Sequence, residues 1–322
     1  MRITEVTAEE YAKAFVAVPH VFCSAAFSDL NSHKVETVKY LLFVDGSKIR
    51  FGLTFGQSSS TLQSPFSAPF GGFVSNGKQG IASMQQASEA LVQYAKDSGC
   101  NIVMTLPPAF YAQSEISKWT NILACVGTIR KVDVNYNFCL CGDEDYTSII
   151  EHNAAKNLRR AMNAGLSLRC LNTTDAVELR RAYDVIARNR AEHSYKLSMS
   201  FNEVWQTTRL IEADAFVVEH KEVDVAAAIV FHVADAVWQV IYWGDIRESS
   251  SLRVMNYLAY QLFVYYRSKG AKILDIGPST DNGMPNIGLC NFKESIGCIA
   301  FNKFTFDICP FRDSRTCYRQ DL

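Results

Sequence analysis

A serine-rich segment between a predicted strand and a predicted helix is a clear candidate for chemistry. Residues 244–253 read GDIRESSSLR and stand directly before an amphipathic stretch. Serines there can cap the helix, and unpaired amides at a helix start attract anions with help from the helix dipole. We therefore expect either a phosphate site or an ordinary serine cap with solvated arginines. The residues concerned are Arg247, Ser249, Ser250, Ser251 and Arg253.

A carboxylate inside an apolar strand is the second candidate. Asp275 lies within ILDIG, residues 273–277. A carboxylate in such a strand must be hydrogen-bonded or face a cleft, because an unpaired buried charge is very unfavourable. Asp275 is therefore either a structural acceptor of backbone amides or a candidate catalytic base.

Other side chains could contact a substrate. Lys156 and Arg160 are four residues apart on one predicted helix face, where they could dock an anionic acceptor or only face solvent. Phe70 lies in a loop rich in Pro, Ser and Gly (63–73), which could bind substrate or form a hydrophobic lid. Tyr242 ends a predicted strand, where it either packs or reaches a cleft. Arg188, Arg190, His193 and Tyr195 end a predicted helix and could line the same cleft.

Composition limits the class of protein. A hydrophobic content of 48% and a charged content of 20% are typical of a soluble globular protein. The net charge of -1 argues against bulk nucleic-acid binding, and no DNA partner is expected. No apolar run is long enough for a membrane span, and the acidic N-terminus does not resemble a signal peptide, so we expect a cytoplasmic protein. The ten cysteines show no metal-ligand spacing, and no metal site is predicted.

The segments around these residues predict strands and helices in alternation. Residues 38–44 and 48–55 form a hairpin signal around Asp45-Gly46, and 253–267 has apolar residues at helical spacing. Further strands are predicted over 2–7, 102–105, 132–140, 215–219, 223–232, 237–243, 273–276 and 299–308. Further helices are predicted from Ala8 and over 81–96, 146–164, 176–193, 202–211 and 287–295. The predicted fold class is α/β, as an α+β mixed sheet with helices packed on it.

The two halves of the chain share one ground plan. Gly99 corresponds to Gly270, and Pro107 corresponds to Pro278 at the same offset. An amphipathic stretch precedes each glycine, and a short apolar strand and a proline turn follow it. This register predicts two copies of one α/β unit, over residues 1–144 and 145–322.

Three segments carry a resemblance to a known family. KNLRRAMNAG (156–165) resembles a Lys-x-x-Arg helix that ends in Gly, SKGAKILDIG (268–277) resembles a helix end and Asp-Gly strand, and IGLCNFKESIG (287–297) resembles an FK-containing signature. In this order they resemble the tandem-GNAT group that includes the FemAB peptidoglycan-bridge aminoacyltransferases and FemAB-like acetyltransferase domains. The resemblance implies two tandem GNAT-like units, the second of which carries the donor site.

The same resemblance suggests roles for several residues. It places Asp275 at the cleft of the second domain as a base, and Lys293 near the reacting carbonyl, where its charge would stabilise an oxyanion. It also places residues 244–253 where acyltransferases bind the phosphates of acyl-CoA such as acetyl-CoA. Two features depart from the family: 188–202 leaves no room for the helical hairpin of tRNA-dependent FemAB enzymes, and 243–253 lacks the usual Gln/Arg-x-x-Gly-x-Gly/Ala loop.

Three functions remain open from the sequence. The first is an N-acyltransferase of GNAT type that transfers an acyl group from acyl-CoA to an amine on a small molecule or precursor. The second is a FemAB-like aminoacyltransferase that uses aminoacyl-tRNA on a cell-wall precursor. The third is a non-catalytic GNAT-like binding module, so the sequence does not decide whether the protein is an enzyme.

Overall fold

The computed structural model describes residues 1–309, and the chain divides into two compact units. Of the described residues, the first unit contains Met1–Asp133 and 301–309, and the second contains Val134–Ala300. This division differs from the expected 1–144 and 145–322. The physical reason is strand pairing: residues 305–308 of the last strand pair with residues 102–105 and so return to the first unit.

The first unit alternates strands and helices. Its elements are β1 (Arg2–Val6), α1 (Ala8–Ala14), α2 (Ala25–Leu30), β2 (Thr37–Asp45), β3 (Lys48–Ser58), β4 (Thr61–Ser64), β5 (Val74–Ser75), α3 (Ile81–Asp97), β6 (Asn101–Thr105) and α4 (Gln113–Val126). The next strand, β7 (Thr128–Cys139), begins in the first unit and ends in the second.

The second unit follows a similar plan. Its elements are α5 (Tyr146–Ile149), α6 (His152–Met162), β8 (Leu166–Leu171), α7 (Ala176–Glu192), α8 (Phe201–Leu210), β9 (Ala213–His220), β10 (Val223–Ala234), β11 (Val237–Asp245), α9 (Val254–Ser268), β12 (Ile273–Pro278), β13 (Thr280–Asp281), β14 (Met284–Pro285) and α10 (Ile287–Ser295). The last strand, β15 (Ile299–Ile308), begins in the second unit and ends in the first.

Each unit contains a mixed sheet. The strand order is β1-β2-β3-β4-β6-β15 in the first unit and β7-β12-β11-β10-β9-β8 in the second. The predicted hairpin (β2 and β3) and the predicted three-strand meander (β9 to β11) are both present. In each unit one parallel pair is joined through a long helix: β4 and β6 through α3, and β11 and β12 through α9. This shared pattern agrees with the duplication seen in the sequence.

The paired glycines have the same structural role in both units. Gly99 and Gly270 have φ angles of 67° and 81°, a region that glycine adopts without a Cβ clash. Directly after Gly99, the amide of Cys100 donates to the carbonyl oxygen of Ala95. Directly after Gly270, the amide of Ala271 donates to the carbonyl oxygen of Tyr266. Both glycines therefore end a helix in the same way and lead the chain directly into a parallel strand.

Alternation along β2 explains how the first sheet is covered on both faces. Leu41 and Phe43 pack with α3 and α4, whereas Tyr40 and Leu42 pack with α1 on the other face. In the second unit, β10 is apolar and buried without alternation, as expected for a central strand contacted by both α7 and α9.

Some predicted elements differ from the observed ones. The single helix expected over 146–164 is divided into α5 and α6, because Ile150 adopts an extended conformation with φ of -98° and ψ of 152°. Strand β8 was not predicted, and most of its residues are exposed or half-buried. Among residues 1–309, no helix is long and apolar enough to cross a membrane.

Candidate functional site

The candidate site in the second unit is the point where two parallel strands cease to pair, called the opening below. β11 pairs with β12 only over residues 237–239, opposite 273–275. β11 then continues to Asp245 and β12 to Pro278, and the register between the two strands ends. On its other side β11 pairs with β10, and Ile241 is an extra residue between the paired positions Val240 and Tyr242. A bulge of this kind redirects backbone groups where a strand leaves its neighbour.

Asp275 fixes the point where the strands part. Its register partner Gln239 is the last β11 residue paired with β12, and the Gln239 Nε2 donates to Asp275 Oδ2 at 2.7 Å. The other carboxylate oxygen accepts from Asn135 Nδ2 of β7 at 2.7 Å and from the Gly277 amide at 2.8 Å. One carboxylate thus connects three neighbouring strands at the inner end of the opening.

Lys293 holds the part of β12 that has left β11. Its Nζ donates to the carbonyl oxygens of Ile276, Gly277 and Pro278 at 3.1, 2.8 and 3.1 Å. The side chain comes from α10, which therefore binds three consecutive carbonyls of the separated strand. The lysine thus supplies hydrogen-bond donors to carbonyl oxygens in the part of β12 that no longer pairs with β11.

This geometry bears on the expected roles of both residues. Asp275 is 0% exposed and Lys293 is 1% exposed. An amine could reach the carboxylate, or a thioester carbonyl could reach the ammonium, only after these hydrogen bonds had broken. The contacts favour a structural role for each residue, and the base at Asp275 and the oxyanion stabiliser at Lys293 stay predictions.

Tyr242 lies on β11 beyond the point where the strands part. Its hydroxyl accepts a hydrogen bond from the Met199 amide at 3.1 Å and is hydrogen-bonded to Ser198 Oγ. Burial raises the pKa of Tyr242 above its usual value, so the phenol is protonated at neutral pH. The group is therefore a neutral hydroxyl, which can donate or accept a hydrogen bond.

The serine segment does not cap α9 as expected. Residues Arg247–Leu252 form a short 3-10 helix, and Arg253 is the N-cap of α9 with φ of 60° and no side-chain hydrogen bond to the helix. The buried Ser249 hydroxyl donates to the Ile246 carbonyl at 2.8 Å. The expected anion ligands are thus divided: Ser250, Ser251 and Arg253 are exposed at the start of α9, and Ser249 is part of the interior.

Arg247 also has a protein partner. Its guanidinium Nη2 donates to the Glu192 carbonyl oxygen at 2.6 Å, and its amide donates to Glu192 Oε2 at 2.7 Å. These bonds attach the segment after β11 to the end of α7. Arg247 therefore positions the chain that leads to α9.

The end of α7 carries a group of residues for which the sequence had indicated no definite role. Arg190 Nη1 donates to Asn189 Oδ1 at 2.6 Å, and Arg190 Nη2 lies 3.4 Å from the carbonyl oxygen of Trp243. The buried Asn189 in turn donates to the Asp245 carbonyl at 2.7 Å. A Cβ at Gly244 would lie 2.5 Å from Asn189 Cγ, so β11 needs a glycine there to admit this side chain.

The remaining predicted residues lie elsewhere. Lys156 and Arg160 are exposed on α6, whose other face is buried through Ala154, Leu158 and Ala161. Phe70, which was expected to contact substrate, is 0% exposed in the first unit.

Phe70 contributes to closing the equivalent position of the first unit. Its ring packs edge-on against His20 at 4.9 Å and lies 4.7 Å from the ring of Tyr111, measured between centroids. The loop after β4 also bonds to β6 through the Gly71 amide and the Thr105 carbonyl at 2.9 Å. The loop and its aromatic side chains thus pack beyond the end of β4.

Comparisons with known proteins agree with this architecture. FemX has the same fold, with a TM-score of 0.67, 12% sequence identity, and coverage of 96% of this chain and 97% of that chain. L-PGS from Bacillus licheniformis has a TM-score of 0.59 with 10% identity over 98% of both chains. A tandem GNAT protein from the clavulanic acid biosynthesis pathway has a TM-score of 0.56 with 10% identity, over 97% and 99% of the two chains. No family model and no curated protein matches the chain.

These likenesses define the class of the protein by its fold. The chain has the tandem GNAT fold shared with FemX, L-PGS and the clavulanic acid pathway protein. The resemblance to FemAB-like proteins that the sequence motifs indicated is confirmed at this level. The predicted α/β fold class with a mixed sheet is confirmed as well.

Proposed function

We propose that the protein is an N-acyltransferase that brings an acyl-CoA thioester and an amine together at the opening between β11 and β12. The observation that carries this proposal is the separation of the two parallel strands after Gln239 and Asp275, next to the bulge at Ile241. Backbone amides that a parted strand presents can stabilise the oxyanion that forms when an amine attacks a thioester. The chain shares its fold with a tandem GNAT protein whose structure is described as its form without AcCoA, and this likeness supports acyl-CoA as the donor class.

In this proposal the start of α9 holds the phosphates of the donor. Arg253 provides no side-chain cap, so the first amides of the helix can donate to an anion. The exposed Ser250, Ser251 and Arg253 surround this helix start and can add hydrogen bonds and charge. Arg247 and Ser249 would act indirectly, by holding the 3-10 turn in place.

The chemistry would be direct transfer. The amine nitrogen attacks the thioester carbonyl carbon and loses one proton as the amide forms, the C–S bond breaks, and the departing thiolate takes up one proton to leave as free CoA thiol. Tyr242 is our candidate for passing the proton on to the thiolate, because it lies on β11 beyond the point where the strands part. Alignment of the two reactants alone can contribute roughly 7 kcal/mol or more to lowering the barrier.

A thermal-unfolding titration with CoA, acetyl-CoA and a long-chain acyl-CoA tests the donor. A ligand at 100 times its Kd stabilises the folded state by about 2.7 kcal/mol, so binding must raise Tm saturably. Arg253→Gly is the informative variant, because glycine accepts the φ of 60° and only the side chain is lost. We expect weaker acyl-CoA binding without loss of Tm.

Arg159→Ala, on the exposed face of α6, is the matched control and should bind acyl-CoA as the wild type does. The donor proposal is rejected if no CoA species raises Tm. It is also rejected if Arg253→Gly and Arg159→Ala weaken binding equally, since that would indicate only diffuse charge. A saturable shift without turnover on any amine would instead favour a binding module.

A second candidate is aminoacyl transfer from charged tRNA, as in the FemAB enzymes that the sequence resembles. The likeness to FemX, at a TM-score of 0.67, favours it. Against it, α7 and α8 are joined only by residues 193–200, without a helical hairpin. Filter binding with charged and uncharged tRNA decides between the two: selective binding of charged tRNA together with no acyl-CoA shift would replace the first proposal.

A further inference from the structure

Arg190 is set apart from the other arginines of α7 by its lack of a carboxylate partner. Arg181 pairs with Glu219 and Asp224 at 2.7 and 2.8 Å, and Arg188 pairs with Glu192 and Glu248 at 2.9 and 2.8 Å. Within residues 1–309, no Asp or Glu lies within ion-pair distance of the Arg190 guanidinium.

This guanidinium is also partly removed from water. It lies 6.0 Å from the centroid of the Tyr242 ring, and burial lowers the pKa of Arg190. Placing a cation in such surroundings without a counter-charge is unfavourable. A bound anion would supply that counter-charge.

The guanidinium is also held in a defined orientation. Asn189 accepts from Nη1 and is itself fixed by the Asp245 carbonyl and by its close fit over Gly244. Hydrogen bonds to acceptors within the described chain use only Nη1 and Nη2, and they leave other N–H donors of the fork for a ligand. A preorganised fork of this kind matches an oxyanion with two accepting oxygens.

We propose that Arg190 binds a carboxylate or phosphate group of the amine acceptor. This inference rests on the proposed function, because Arg190 faces Tyr242 at the opening where the amine would enter. The donor phosphates have a separate place at the start of α9. The acceptor is then an amine that also carries an anionic group, such as an amino acid or an amino sugar phosphate.

The test is a thermal-unfolding titration with sodium acetate and with inorganic phosphate, against sodium chloride at equal ionic strength. We expect at least one of the two anions to raise the Tm of the wild type saturably, and the stronger one identifies the group. Arg190→Gln should weaken that binding at least tenfold, and Arg190→Lys by a smaller factor, because it keeps the charge but loses the fork. Arg188→Gln, on the same helix, should change it less than twofold.

The proposal is overturned if neither anion acts beyond chloride, or if Arg188→Gln weakens binding as much as Arg190→Gln. It is also overturned if Arg190→Gln weakens acetyl-CoA binding tenfold, since the anion would then belong to the donor. If Arg190→Gln does not fold, phenylglyoxal labelling of the wild type replaces it. Protection of Arg190 by the bound anion supports the proposal, and labelling at an unchanged rate refutes it. No arm with acetate or phosphate needs turnover, so failure of the acyl-transfer proposal is seen separately.

Discussion

Replacement of Lys293 by Met distinguishes a structural lysine from a catalytic one. The change keeps most of the side-chain volume but removes the ammonium that binds the carbonyls of Ile276, Gly277 and Pro278. The Lys293 side chain is 1% exposed, so water cannot readily take the place of its ammonium group as the donor to these carbonyls. Leaving one buried polar group unsatisfied costs about 1–3 kcal/mol, and the substitution removes the ammonium donor from three carbonyls. Partial relaxation of the strand brings the expected destabilisation to about 3–5 kcal/mol.

Urea unfolding followed by tryptophan fluorescence measures this loss. The transition that reports on Trp238 and Trp243 should move to lower urea, because both residues lie in the second unit. Lys156→Met is the control, since it removes an exposed lysine and should change stability by less than about 0.5 kcal/mol. If Lys293→Met kept wild-type stability and abolished only turnover, the structural interpretation would be refuted and the catalytic expectation restored.

Three further predictions concern other parts of the chain. Burial lowers the pKa of His20 to about 3, so the unfolded chain takes up a proton below about pH 6.5 that the folded chain does not. Stability is therefore lost as pH falls, by roughly 1.4 kcal/mol per pH unit, and His20→Gln should flatten the slope of unfolding free energy between pH 6 and 5. Phe70→Ala should destabilise the first unit by about 3–5 kcal/mol in urea unfolding and leave acyl-CoA affinity unchanged; the opposite result would place Phe70 in a ligand site. Gly244→Ala should displace the Asn189 side chain and, through it, the Arg190 guanidinium, so that both anion affinity and Tm fall. Wild-type anion affinity in this variant would contradict the proposal that Asn189 positions Arg190.

Local patterns predicted the parts of the fold that depend on near neighbours. The Asp45-Gly46 turn, the meander of β9 to β11 and the apolar face of α9 all follow from periodicity and turn chemistry within short windows. The matched glycines Gly99 and Gly270 were also informative, because the backbone there needs positive φ.

Pairings between distant residues could not be predicted in this way. Asp275 was recognised as a carboxylate that needs partners, but its partners Asn135 and Gln239 come from two other strands. Phe70 lies in a loop whose composition indicates exposure, and aromatic residues remote in sequence bury it. The role of Arg190 depends on an absent counter-charge, a property that becomes visible only when the neighbouring elements are in place.

The return of β15 to the first unit affects the order in which a newly made chain can fold. β6 obtains its neighbour β15 only when residues 305–308 have left the ribosome, whereas the second unit is continuous from Val134 to Ala300. At 5–20 residues per second, the first unit waits roughly 10 to 30 s after its own first stretch has been synthesised. During that time the edge of β6 is unpaired and open to other strands, including those of neighbouring nascent chains. Translation speed and chaperone access should therefore affect the yield of the first unit more than that of the second.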